Sequence, residues 1–451
     1  MKLKLPKSKV TIACFILFSI FNLNAQAQEV ITLQKAIDLT LERNLTIKQS
    51  LFTEALTDQD LKQSKYNLLP NLTAGPQASF NFGRNIDPST NQFINQRIFA
   101  LSGNASSQLT IFQGGQLRNQ IITNRLQLDA DRSSTAKVKN DLILNVVTTY
   151  LSVLTNQDLV AAALQQIDIA KITLDRAQKS YDAGNQTLAD LSQAKAQLST
   201  ADLNYTTAEN QYELSVLTLK QYMEMPPSTN ITIEKPDISK LRDISTVFDP
   251  ESVLKTALSV NPDINLAEAR QKVAAQRISI AKGSYYPSIV LFGQAGSNYS
   301  DARKLLGGGN YPFFTQLKDN FNQSAGVSLQ IPIFGRFTAR TSVRKARISL
   351  ENAEVTAQLA RTNLGKIIYQ AVWDVRAADK KYVSTQQTYE ANKEAFNVIQ
   401  QRYNVGLVNS LDYNTSLTNL NKSQFDLIQA KYEVVFRSKI IDYYLGNPIK
   451  L

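Results

Sequence analysis

Two carboxylates stand at matching places in this sequence. Asp190 and Asp412 each follow by three positions a residue able to start a helix, Thr187 and Asn409. A side chain of that type accepts a hydrogen bond from an amide of the first turn, and an acid there meets the positive end of the helix dipole. A few residues earlier come Gly184 and Gly406, glycines suited to the left-handed residue that closes a helix. No constellation at these positions or in the rest of the chain looks catalytic. The 451 residues include no histidine and a single cysteine, Cys14. The commonest general base, the commonest metal ligand and a thiolate nucleophile are therefore absent or confined to one site. Acids are spread along helix faces, and no carboxylate pair, serine–lysine arrangement or Gly-rich nucleotide loop points to an enzyme. Neither a cofactor nor a metal is expected.

The elements that hold these residues begin after a leader. Lys2, Lys4, Lys7 and Lys9 precede an apolar run from Val10 to Leu23, and Ala25-Gln26-Ala27 supplies a cleavage pattern. Residues 1–27 thus read as a signal peptide, too short in its apolar part to span a membrane. Cys14 lies inside it with too little apolar sequence ahead for a lipoprotein, so the exported chain is expected to lack thiols and disulfides. The formal charge of +11 falls to about +7 without the leader. The remaining basic residues are mixed with acids, which suits solvated helix surfaces and not a nucleic-acid patch. No later apolar run approaches the roughly 20 residues of a membrane helix.

The chain repeats itself. Asn44, Lys65 and Pro70 recur at one fixed offset as Asn261, Lys282 and Pro287. At a second offset, about five residues longer, Phe112, Tyr181, Gly184, Asp190, Ala208, Tyr222 and Pro226 recur as Phe334, Tyr403, Gly406, Asp412, Ala430, Tyr444 and Pro448. The expected organisation is a first repeat over 28–226, a linker over 227–250 and a second repeat over 251–451. Each repeat opens with a helix, Leu33 to about Leu68 and Glu251 to about Lys282. Two period-2 strands follow, joined by loops near Asn85 to Gln96 and Asp301 to Asn320. In the first repeat Phe99, Leu101, Ala105, Leu109 and Ile111 share a face against Ser102, Asn104, Ser106, Gln108 and Thr110. In the second, Phe321, Ala325, Val327, Leu329, Ile331 and Ile333 oppose Asn322, Ser324, Ser328 and Gln330. A helix from Gln116 to Ala183 then reads as a run of about 100 Å. It carries Val146, Val153, Val160, Ile167, Leu174 and Tyr181 at a heptad spacing, and a 3.5-residue period continues beyond the Gly184 turn. That period predicts a left-handed antiparallel coiled coil.

Strands of 10 to 14 residues with one apolar face fit a membrane barrel, but four of them cannot close one, and open edges are not tolerated in lipid. Several chains would have to share a barrel. The soluble alternative is a non-channel periplasmic coiled-coil scaffold capped by a small sandwich.

Over nearly its whole length the exported sequence resembles the TolC-like outer-membrane efflux proteins. The resemblance rests on Ala257-Leu258, Asn261-Pro262, Phe112-Gln113-Gly114-Gly115 and Pro332-Ile333-Phe334-Gly335. It rests above all on the turns Tyr181-Asp182-Ala183-Gly184 and Tyr403-Asn404-Val405-Gly406-Leu407. Leu45 departs from the motif, standing where the second repeat has Pro262. The resemblance implies a mixed α and β fold: a long antiparallel coiled-coil α-helical barrel joined to a transmembrane β-barrel, four strands per chain, shared by a homotrimer. It implies an outer-membrane channel of a Gram-negative cell, with helices in the periplasm. Such a channel serves tripartite efflux or type I secretion, passing substrates from an inner-membrane transporter and a periplasmic adaptor (membrane fusion protein) to the outside. It further implies that Gly184, Val405, Gly406 and Leu407 contact the adaptor and that Asp412 lines a closed aperture as an acidic ring. Tyr403 and Asp190 match a pair that holds the tip shut. The family's second aperture acid falls on Thr415 and its arginine latch on Val408, so both are missing here. The cargo is not legible.

Overall fold

The computed structural model of the chain describes residues 29–86, 90–236, 247–305 and 307–447. The leader with Cys14, the middle of the linker and Pro448 lie outside the described residues.

Two successive sets of elements run in the same order. The first comprises β1 (Glu29–Ile31), α1 (Leu33–Arg43), α2 (Leu45–Tyr66), β2 (Asn71–Asn81), β3 (Arg84–Ile86), β4 (Phe93–Asn95), β5 (Ile98–Gln113), α3 (Gln116–Asp182) and α4 (Leu188–Tyr222). After β6 (Ile231–Ile233) come α5 (Pro250–Val260), α6 (Pro262–Gly283), β7 (Ser288–Ser300), α7 (Phe313–Asp319), β8 (Asn322–Gln330), α8 (Thr338–Asn404) and α9 (Ser410–Tyr444). The long helices α3 and α8 are both 67 residues, and their return helices α4 and α9 are both 35.

Each opening helix, expected as one run, is broken in two. At Asn261 the cause is Pro262, which lacks an N–H and disfavours the helical conformation in the residue before it. Asn261 accordingly sits at φ −70°, ψ 123°. In the first half Leu45 stands in that place, and side chains do the work instead. Asn44 leaves the helix at φ −57°, ψ 130°. Its amide accepts from Thr46 N (2.9 Å) and donates to Tyr222 O (3.1 Å), while Leu45 N donates to Glu224 Oε1 (3.2 Å). The loops also differ from expectation. The first contains the β3–β4 hairpin, and the second folds α7.

The chain forms two compact units, and the division runs across the repeats instead of between them. One unit takes Gln49–Lys137 and Pro262–Thr362; the other takes the stretches up to Lys48, Val138–Asn261 and from Asn363 onward. The cause is the continuity of α3 and α8, each of which contributes to both.

The first unit holds an antiparallel sheet ordered β2-β5-β7-β8. Its register carries one apolar face across all four strands. Phe80 pairs with Phe99, Ala78 with Leu101 and Ala74 with Ala105; Ala105 continues to Ala295, and Leu291 to Val327. The other face brings Gln77 beside Ser102, Ser102 beside Asn298, and Gln294 beside Ser324. A bulge between Thr110 and Phe112 ends the alternation of β5. On the edge strands these apolar side chains are bare, Leu72 78% and Leu329 59% exposed, while those of the central β5, such as Leu101 and Leu109, are half-buried. Ile331 and Ile333, expected within the last strand, lie past its end at Gln330. No helix among the described residues is long and apolar enough to cross a membrane.

Entry to the long helices uses two left-handed residues in each half. Gly114 (φ 57°) and Gly115 (φ 73°) precede α3, and Arg336 (φ 50°) and Phe337 (φ 60°) precede α8. Glycine is needed at 114 on a second count, since a Cβ there would lie 2.1 Å from Gly283 O.

The second unit is cored by Ile31, Val146, Tyr150, Leu154, Leu219 and Met223. Its β1 and β6 pair in parallel, Val30 beside Thr232. The Tyr150 hydroxyl seals that pair, lying 2.8 Å from Glu234 O and 3.1 Å from Ile31 O. Burial, then the charge of Glu234, pushes this phenol well above its usual pKa.

Candidate functional site at the helical turns

The turns α3–α4 and α8–α9 belong to the helical unit. Each is closed by a glycine at φ 77°. Gly184 N donates to Tyr181 O (2.9 Å) and Asn185 N to Ser180 O (2.9 Å); Gly406 N donates to Tyr403 O (3.1 Å) and Leu407 N to Arg402 O (2.9 Å). The six-to-one amide bond in each is that of a Schellman cap. A Cβ at either glycine would meet nothing within 4 Å, so conformation alone selects glycine.

The return helices start as their spacing predicts. Thr187 and Asp190 form a reciprocal capping box: Asp190 N donates to Thr187 Oγ1 (3.2 Å) and Thr187 N to Asp190 Oδ2 (3.1 Å). Asn409 Oδ1 accepts from Asp412 N at 2.8 Å. Asp412 itself is exposed.

The expected bond between Tyr403 and Asp190 is replaced by two separate links. The phenol oxygen of Tyr403 accepts from Gln186 Nε2 at 3.0 Å. Asp190 Oδ1 accepts from the Ser410 hydroxyl, and its Oδ2 from Thr187 Oγ1 at 2.7 Å. The capping box holds Asp190 in place, while Tyr403 is fixed by stacking on Tyr413 (4.6 Å, 24°), itself buried against Phe396 and Leu417. The Ser410 hydroxyl first, then Thr187 through side chain and backbone, holds the Asp190 carboxyl below the usual carboxylate range. A third tie joins Arg176 of α3 to the Asn404 side-chain oxygen. Thus each turn of one half grips the other half.

Gln186, Ser410 and Arg176 were not singled out from sequence, and Asn404 stood only as part of the turn motif, with no role of its own. Two of them carry a signal: Gln186 faces Val408 in the repeat alignment, and Ser410 faces Leu188. The bonds form where the repeats differ. The turns differ in polarity too. Val405 and Leu407 are 69% and 75% exposed, where the first turn has Ala183 and Asn185.

Amphipathic strands joined to two 67-residue helices and their returns define a class of export-channel subunit. The sequence model of the outer membrane efflux protein family matches residues 36–223 and again 253–447. The outer membrane efflux protein BepC of Brucella suis is 22% identical over 434 residues, covering 95% of this chain and 88% of its own. Among solved structures, CusC superposes with a TM-score of 0.77 at 14% identity, over 96% of both chains. The outer-membrane channel CmeC of Campylobacter jejuni gives 0.75 at 20% identity, over 92% of this chain and 85% of its own. The chain belongs to the outer membrane efflux protein family. It is an outer-membrane efflux channel protein, and the scaffold reading is set aside.

Proposed function

We propose that three copies of this chain close one twelve-stranded barrel and form a passive duct. It conducts substrates handed over by a periplasmic adaptor and an inner-membrane transporter in a tripartite efflux or type I secretion system. One observation carries this reading. The sheet ends at β2 and β8, whose outer edges have no strand partner among the described residues, and its apolar face is uncovered. Unpaired edges in lipid cost several kcal/mol per polar group, so closure has to come from other chains. The band has the right height. Phe99 and Phe112 bracket about 13 residues of β5, which at about 3.3 Å each and a tilt of about 45° span roughly 30 Å.

Each repeat then supplies one strand pair and one helical hairpin to the tube. The polar face of the sheet, rich in Ser, Asn, Gln and Thr, lines a pore of low selectivity. Gly184 and the apolar Val405-Gly406-Leu407 turn form the adaptor-contacting tip. Asp412, repeated three times about the axis, forms an acidic aperture, with Tyr403 and Asp190 holding the tip closed.

Disulfide trapping tests the closure, because the exported chain offers no competing thiol. Gln77→Cys on β2 combined with cysteines scanned along β8 should give covalent trimers at one register in outer membranes. Only intramolecular disulfides, or none at any register, would overturn the shared barrel.

A further inference from the structure

The loop end of the sheet, opposite the starts of α3 and α8, carries a row of aromatic rings. Phe80 lies 5.1 Å from Phe99, Phe99 6.4 Å from Tyr299, and Tyr299 4.9 Å from Phe313 of α7. The three strand residues lie on the apolar face: Phe80 pairs with Phe99, and Tyr299 pairs with Leu101, diagonal to Phe99. Rings placed so belong at headgroup level, one edge in hydrocarbon and one in water.

Guanidinium groups lie on the rings at this end. Arg97 is 5.1 Å over Phe80, Arg84 is 4.1 Å over Phe93, and Arg303 is 4.4 Å over Tyr311. None of the three has a carboxylate partner among the described residues. Two acids of the same loop are occupied: Asp301 accepts from Phe99 N (2.8 Å) and Asp319 from the Tyr311 hydroxyl (2.7 Å). The loop is braced and not loose. Buried Gln316 bonds Ser300 through both its N–H and its carbonyl, each at 3.0 Å. Arg303 gives one N–H of its five-donor fork to Asn320 Oδ1 (2.8 Å).

We propose that this rim binds the phosphate groups of anionic lipids in the outer leaflet. The inference rests on the membrane-channel reading above. A guanidinium stacked on a ring is held in place by its flat face while its edge stays open to an oxyanion. Phosphate takes that edge bidentately. Phe80, the ring under Arg97, belongs to the aromatic row of the lipid-facing strands, so a ligand there must carry hydrocarbon beside its phosphate. A soluble phosphate meets only half of that site.

Native mass spectrometry of the delipidated full-length protein in detergent is the test, with bisphosphorylated lipid A, its dephosphorylated form and inorganic phosphate as probes. The wild type should retain bisphosphorylated lipid A about tenfold better than the dephosphorylated form, with the preference shrinking as salt rises. Replacing Arg84, Arg97 and Arg303 by Gln should remove that preference, and Arg97→Lys should reduce it without abolishing it. Equal retention of both lipids by the wild type would overturn the proposal, a result that does not depend on any variant folding. So would competition by inorganic phosphate at concentrations equal to the lipid's. Conductance in planar bilayers is measured alongside: a protein that forms channels without preferring phosphate defeats this inference alone, and one that forms none defeats the channel reading.

Discussion

Ser410 donates a hydrogen bond to Asp190, tying the first turn of α9 to the first turn of α4. It joins helices from opposite halves of the sequence, at the positions where the Schellman-capped chain turns back. Its acceptor is an anion held below its ordinary pKa, so the link has a defined pH window. A depressed folded pKa means that the contribution is complete above the unfolded value, about 4, and disappears as the pH falls through the folded value. If these turns form the closed tip proposed above, it should be insensitive to pH between 5 and 8 and loosen only in stronger acid. Resting conductance measured from pH 7 to pH 3 checks this, with Ser410→Ala as the variant that should already be loosened at pH 7. A Ser410→Ala channel with wild-type resting current would remove the link from the gate.

Tyr403 and Asp190 belong to different links, which makes their energetic coupling a sharp test. In double-mutant cycles on thermal stability, Tyr403→Phe with Asp190→Ala should be additive within about 0.5 kcal/mol. Tyr403→Phe with Gln186→Ala, and Asp190→Ala with Ser410→Ala, should each couple by about 0.5–1.5 kcal/mol. Strong coupling in the first cycle would restore the direct phenol–carboxylate pair.

Asp412 is exposed at the start of α9, and its backbone amide rather than its carboxylate takes part in the cap. Asp412→Ala should leave stability within about 0.5 kcal/mol of wild type. If three carboxylates ring the aperture, it should also weaken divalent-cation block of the current about tenfold. Block at wild-type strength would mean that the residue faces away from the aperture.

Gly406→Ala adds no clash and only a strained backbone, costing about 1 kcal/mol. Gly406→Asn should recover most of that, because Asn tolerates the left-handed region. Conversely, Arg336→Gly relieves a left-handed arginine and should raise the melting temperature. Calorimetry of the three variants decides both points.

Patterns confined to one stretch of chain were legible before the structure. The strand faces followed from strict alternation, the long helices from their heptads, and the caps from Thr187, Asn409, Gly184 and Gly406 read at fixed distances. Other features were not. The break at Asn44 was hidden because Leu45 replaces the proline that marks it at Pro262, and the substitutes, Tyr222 and Glu224, are distant in sequence. The helix α7 was hidden because it is only seven residues long and follows Gly307, Gly308, Gly309, Asn310 and Pro312, which read as loop. The tip links escaped because a bond such as Gln186 to Tyr403 pairs single residues across the two halves, and no period or spacing announces it. The family resemblance paired Tyr403 with Asp190, whereas the local capping box and Ser410 occupy that carboxylate here.

The parallel pairing of β1 with β6 has a consequence for the order of assembly. Val30 leaves a secretion pore among the first residues of the exported chain, and its partner Thr232 follows about 200 residues later. The core around Tyr150 cannot close in the meantime, because the phenol seals both strands at once. Contacts so distant in sequence form slowly. The core around Tyr150 therefore closes only after about half of the exported chain is through, and until then β1 has no strand to pair with. That interval, and not the finished tube, is when the protein is most exposed to aggregation and most in need of a chaperone.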